Sequence, residues 1–211
     1  KGYLDTPTYG LPPKRTLQAI TNAVDSWANR SNWLKWEEDG ERCRELFAQL
    51  SGVTSRNIAL IPAASIASGL VATSLPVQPG DNAVVHAEDF TSTILAFNTL
   101  HTKVVEIRKV ALENLAKSID ERTKLVAFSL VQSADGRLAD LKTLSQTGAR
   151  LFVDGSQALG GIDVDASQID YFVCHAYKWL MCPRGFGFLS IREDRLNELD
   201  PWLAGWKSRE K

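Results

Sequence analysis

Short apolar runs alternate along this chain with longer amphipathic stretches, and that alternation restricts the fold more than any other feature. Runs at 57–61, 83–87, 103–108, 124–130, 151–153, 171–174 and 185–191 are brief and rich in β-branched or aromatic residues, as buried strands are. Helical patterns separate them, over 14–30, 42–50, 65–74, 88–100, 112–119, 140–147 and 192–199. In the first helical stretch Leu17, Ile20, Ala23, Val24 and Trp27 recur at three- and four-residue spacing. Gly52 and Gly148 supply helix stops. Alternating β and α units predict a three-layer αβα domain around a mainly parallel sheet. With 211 residues, 44% of them hydrophobic, the chain can bury such a core as one unit.

The composition excludes several classes. A net charge of −1 argues against a nucleic-acid partner or attraction to an anionic membrane. The apolar runs are far shorter than a membrane span, and the chain opens on no secretory leader. Cys43, Cys174 and Cys182 have neither zinc spacing nor an even count, which points to a reducing cytoplasm and to no metal site.

Residues 151–190 carry the chemistry. Asp154 and Gln157 follow the run Leu151–Val153, and His175, Tyr177 and Lys178 follow Tyr171–Cys174. In an open parallel sheet, ligands sit just beyond the carboxyl ends of the strands. An acid, an amide and a lysine delivered to one edge make a candidate site. Each alone has an ordinary reading as a cap or a solvated side chain. The joint pattern favours function.

The stretch Asp154-Gly155-Ser156-Gln157, then His175-Ala176-Tyr177-Lys178-Trp179 and Cys182-Pro183-Arg184-Gly185, resembles the class V aminotransferase and cysteine desulfurase family of fold-type I enzymes. These use pyridoxal phosphate (PLP). Cys182 stands where the family turn carries glycine. Lys178-Trp179 and Ala204-Gly205-Trp206 resemble the isopenicillin-N-epimerase-like branch. The resemblance implies that Lys178 forms an aldimine with PLP and then shuttles a proton. Asp154 would keep the pyridine nitrogen cationic, because an opposite charge at contact distance favours the charged form. Gln157 would reach the cofactor's 3-oxygen.

Further roles follow from the same resemblance. Ala64 and Ser65 would open a helix at the phosphate, where backbone N–H groups and the helix dipole favour an anion. Ser65 is otherwise an ordinary helix cap. Phe90 would stack on the pyridine or else pack in the core; it cannot exchange protons. His175 and Tyr177 would touch the phosphate, although His175 also reads as a structural histidine. Either Gln132 or Ser133 would come near the cofactor. Trp33 and Trp36 read as loop residues, either covering a pocket or packing in the core.

Residues 1–13 read as an N-terminal arm, with Thr8, Tyr9 and Gly10 either lining the pocket or lying on the surface. Residues 14–211 read as the PLP-binding large domain, incomplete at its C-terminal end, without the family's small C-terminal domain. Residues 201–208 would reach the cofactor of a second protomer, which implies a homodimer with active sites at the interface.

The leading expectation is therefore a PLP-dependent enzyme acting at the α-carbon or side chain of an amino acid, by transamination, epimerisation or β-elimination. A cysteine desulfurase is the alternative within the family. A non-catalytic PLP-fold scaffold is the alternative of another class. A nucleotide-binding Rossmann domain is weaker, since no Gly-x-Gly-x-x-Gly follows the first strand.

Overall fold

A computed structural model describes residues 2–29, 34–200 and 203. Trp33 and most of 201–208, including Ala204-Gly205-Trp206, lie outside them. Seven strands form one sheet in the order β1-β7-β6-β5-β4-β2-β3. They are β1 (Ile58–Ile61), β2 (Asn82–His86), β3 (Glu106–Val110), β4 (Thr123–Ser129), β5 (Leu151–Asp154), β6 (Tyr171–His175) and β7 (Gly187–Ile191). The contiguous set from β6 to β3 is parallel. β7 enters antiparallel between β1 and β6. The mainly parallel αβα architecture expected from the alternation is the one observed.

Two-residue periodicity divides the core between the faces of the sheet. On β4, Leu125 and Ala127 point one way, Val126 and Phe128 the other. The first face is covered by α3 (Ala64–Ser74) and α4 (Thr91–Asn98), through Ala67, Val71 and Phe97. The second is covered by α2 (Leu34–Ser51), α5 (Leu141–Ser145) and a looped segment holding Leu112 and Leu115. Phe47 of α2 stacks on Phe188 of β7 at 4.1 Å between ring centroids.

Several expected elements are displaced. The helix expected over 112–119 is two 3-10 turns, Leu112–Asn114 and Ala116–Ser118, because burying Leu112 and Leu115 needs only three-residue spacing. The helix expected over 192–199 contributes one turn, Glu193–Arg195. The third strand starts at Glu106 rather than at 103, since Lys103 closes a 3-10 turn and Val104 has φ +60°. Trp36 lies in α2, half-exposed, and not in a loop.

The first helix, α1 (Lys14–Ala28), forms as its periodicity predicts, yet it buries no residue. Leu17, Ile20, Val24 and Trp27 remain exposed. No helix among the described residues is long and apolar enough to cross a membrane.

Candidate active site

Because β2, β4, β5 and β6 run parallel, their carboxyl ends share one edge of the sheet. Each end contributes a polar group: Asp89 and Phe90 after β2, Ser129 on β4, Asp154 on β5, His175 on β6. Lys178 follows β6 by one turn. A narrow cleft at this edge is lined by Ala64, Phe90, Asp154, Gln157, His175, Tyr177 and Lys178, together with Ser92, Ser129, Ser133 and Ser156. Of the residues expected to hold the cofactor, Ser65 alone lies outside this lining, exposed on the first turn of α3.

Asp154 is 6% exposed and Lys178 8%. Burial pushes the Asp154 carboxyl above its ordinary range, against the hydrogen bonds of Ser156 and the Lys178 charge. Asp154 Oδ1 accepts the Ser156 N–H at 2.8 Å. Burial also lowers the Lys178 amine, while Asp154 opposes the shift. The Lys178 ammonium lies 5.4 Å from the centroid of the half-exposed Phe90 ring. A planar ligand stacking on Phe90 would displace that ammonium, because the cleft as it stands holds only about 20 Å³ of free volume.

His175 has one readable tautomer. The Ala64 N–H donates to its Nε2 at 3.0 Å, so Nε2 is unprotonated and Nδ1 carries the hydrogen. Nδ1 is buried with no hydrogen-bond partner among the described residues. Burial lowers the ring's proton affinity, helped by the charges of Lys178 and Arg184. The site thus contains an orphaned donor beside the start of α3.

Asp89 was not singled out by sequence reasoning, although an acid at the carboxyl end of β2 follows the same logic that picked Asp154. It is 5% exposed and organises its neighbours. Its Oδ1 accepts the Phe90 N–H at 2.6 Å and its Oδ2 the Ser129 N–H at 2.6 Å. Gln132 donates to the Ser129 carbonyl at 2.9 Å and faces this network, whereas Ser133 lines the cleft. Of the two residues left open in that loop, Ser133 borders the cleft.

The N-terminal arm is strapped to the lysine loop. Gly10 N donates to the Tyr177 carbonyl at 2.9 Å. A Cβ on Gly10 would stand 1.9 Å from the Lys178 carbonyl oxygen, so only glycine passes. Tyr9 stacks on Tyr177, and the Arg184 guanidinium lies over both rings. Thr8, Tyr9 and Gly10 do not line the cleft; Tyr9 and Gly10 brace the loop that does.

A larger surface cleft of about 470 Å³ lies elsewhere, bordered by Leu112, Leu138, Leu144 and Arg137. Arg137 is already engaged by Asp135, Glu88 and Glu113, and Asp140 is occupied by the N–H and hydroxyl of Thr143. The chemistry belongs to the smaller cleft.

This αβα architecture, with a buried lysine and a buried carboxylate at the carboxyl edge of its parallel strands, has the fold of the fold-type I enzymes. The chain belongs to the aminotransferase class-V family, whose sequence profile matches residues 3–211. Isopenicillin N epimerase of Streptomyces clavuligerus is 29% identical over 96% of this chain and 56% of its own length. A cysteine desulfurase of Escherichia coli O8 (strain IAI1) is 33% identical over 61% of this chain and 35% of its own. Among solved structures, the apo cysteine desulfurase of Thermococcus onnurineus NA1 superposes with a TM-score of 0.88 at 25% identity. That match covers 99% of this chain and 58% of the other. The chain spans little more than half the length of these relatives at most.

Proposed function

We propose that this chain is the cofactor-binding part of a PLP-dependent enzyme acting at the α-carbon or side chain of an amino acid. One observation carries the proposal: Lys178, its amine depressed by burial, shares the cleft with the buried carboxylate of Asp154. The other residues fit the same group. The exposed Phe90 face suits a planar ring, and the orphaned His175 Nδ1–H at the start of α3 suits an anionic phosphate. Bound PLP would supply an electron-accepting ring. The chain supplies the rest. Asp154 stabilises positive charge on a ring nitrogen, and Lys178 Nζ takes and returns a proton at the substrate's α-carbon.

Within the family we favour one-base chemistry, meaning transamination or elimination. Phe90 has no exchangeable proton and His175 Nε2 accepts from Ala64, so among the described residues of the cleft we assign the base to Lys178. The desulfurase alternative requires a nucleophilic cysteine. Burial raises the thiols of Cys43, Cys174 and Cys182, and Cys174 points at the Gly155 and His175 carbonyls. None of the three is an activated nucleophile. Three unpaired cysteines suit a reducing cytoplasm, the compartment we infer. The quaternary state we propose is a homodimer.

The test is a PLP titration of the purified protein followed by borohydride reduction and peptide mass spectrometry. The expected result is a yellow protein with cofactor mass fixed on Lys178, and no turnover in Lys178→Ala. A protein that stays colourless with added PLP would favour the scaffold reading.

A further inference from the structure

Gln157 is held at both ends of its amide. Its Oε1 accepts the indole N–H of Trp179 at 3.0 Å, and its Nε2 donates to the Pro7 carbonyl at 2.9 Å. An indole N–H can only donate, and a peptide carbonyl can only accept. The amide therefore has one allowed orientation. Turned over, it would set donor against donor at Trp179 and oxygen against oxygen at Pro7. The nitrogen carries a second hydrogen, for which the described residues provide no acceptor, and Gln157 lines the Lys178 cleft. Toward the cleft, Gln157 is a donor.

The indole is itself seated. A Cβ on Gly161 would come within 3.1 Å of Trp179 Cδ2, and one on Gly160 within 3.2 Å of Trp179 Cβ. Gly160 also has φ +92°, which disfavours any side chain there. The Gly160-Gly161 pair forms a shelf for the residue that follows Lys178.

We infer that Trp179 is a positioning residue: its N–H, together with the Pro7 carbonyl, locks Gln157 as a hydrogen-bond donor to an anionic ring oxygen of the cleft's occupant. The inference rests on the PLP reading proposed above. A fixed donor favours the ionised form of such an oxygen. Without the indole N–H only the Pro7 carbonyl still holds the amide, so its orientation is no longer fixed at both ends, and the turned orientation puts a carbonyl oxygen against the anion.

Trp179→Phe keeps a ring on the glycine shelf and removes the donor. The measurement is a spectrophotometric pH titration of the PLP-loaded enzyme, with cofactor affinity from equilibrium dialysis. Trp179→Phe is expected to raise the midpoint of the visible transition by about one pH unit, the scale of one hydrogen bond to a charged group. Cofactor binding weakens about tenfold by the same reasoning. Gln157→Ala gives the same shift, and adding Trp179→Phe to it moves the midpoint no further, because Trp179 acts through Gln157. Gln157→Glu leaves the indole its acceptor and removes the donor to the cleft, so it too raises the midpoint if Trp179→Phe fails to fold. An unchanged midpoint in either donor-removing variant, or a full extra shift in the double variant, overturns the inference. A wild-type protein with no visible band overturns the PLP reading and this inference with it.

Discussion

Lys178 is unfavourable for folding and useful for chemistry. Its amine is buried beside a carboxylate that acts on it through space, and burial lowers its proton affinity from the ordinary 10.5. The unfolded chain therefore binds a proton more tightly at this position than the folded chain does. The resulting penalty is full below the folded value and fades as pH climbs toward 10.5. Lys178→Met removes the charge at similar volume. It should raise the apo-protein's unfolding midpoint by about 2–4 °C near neutral pH, corresponding to about 1 kcal/mol. Scanning calorimetry checks this, and the gain should shrink in strongly alkaline buffer. A gain that grows with pH would show that burial is not the cause. At this scale Lys178, Asp154 and Gln157 were legible, since each lies within four residues of the end of an apolar run. Asp89 was passed over because it stands beside Phe90, whose ring drew the reading.

The arm, the lysine loop and the shelf form one assembly at the scale of elements. Residues 5–10 reach across the chain to hold Tyr177, Gln157 and the loop bearing Lys178. Gly10→Ala would drive a methyl group into the Lys178 carbonyl oxygen and detach the strap. We expect faster proteolytic cleavage within residues 2–13 and faster amide exchange at 177–182, with the midpoint of global unfolding lowered by only a few degrees. Unchanged exchange in the lysine loop would show that the arm rests on the loop without bracing it. Strand positions were largely legible from short runs of β-branched and aromatic residues. The stretches at 112–119 and 192–199 were not, because leucines three apart satisfy a 3-10 turn as well as a helix.

At the scale of the molecule, the apolar stripe of α1 stands uncovered. Exposed apolar patches of this kind mark surfaces that are buried in a larger assembly. The homodimer proposed above predicts twice the monomer mass in sedimentation equilibrium at micromolar protein, and a monomeric mass across that range would count against it. The amino-acid sequence by itself determined the αβα class and the strand edge at which Asp154 and Lys178 lie. It could do so because burial periodicity and strand-end polarity are local. Only the tertiary structure decided that β7 enters antiparallel between β1 and β6. The same holds for the Gln157–Pro7 bond, whose partners lie 150 residues apart. No local pattern encodes contacts at that separation. They are chosen when the whole sheet closes and each buried polar group must find a partner.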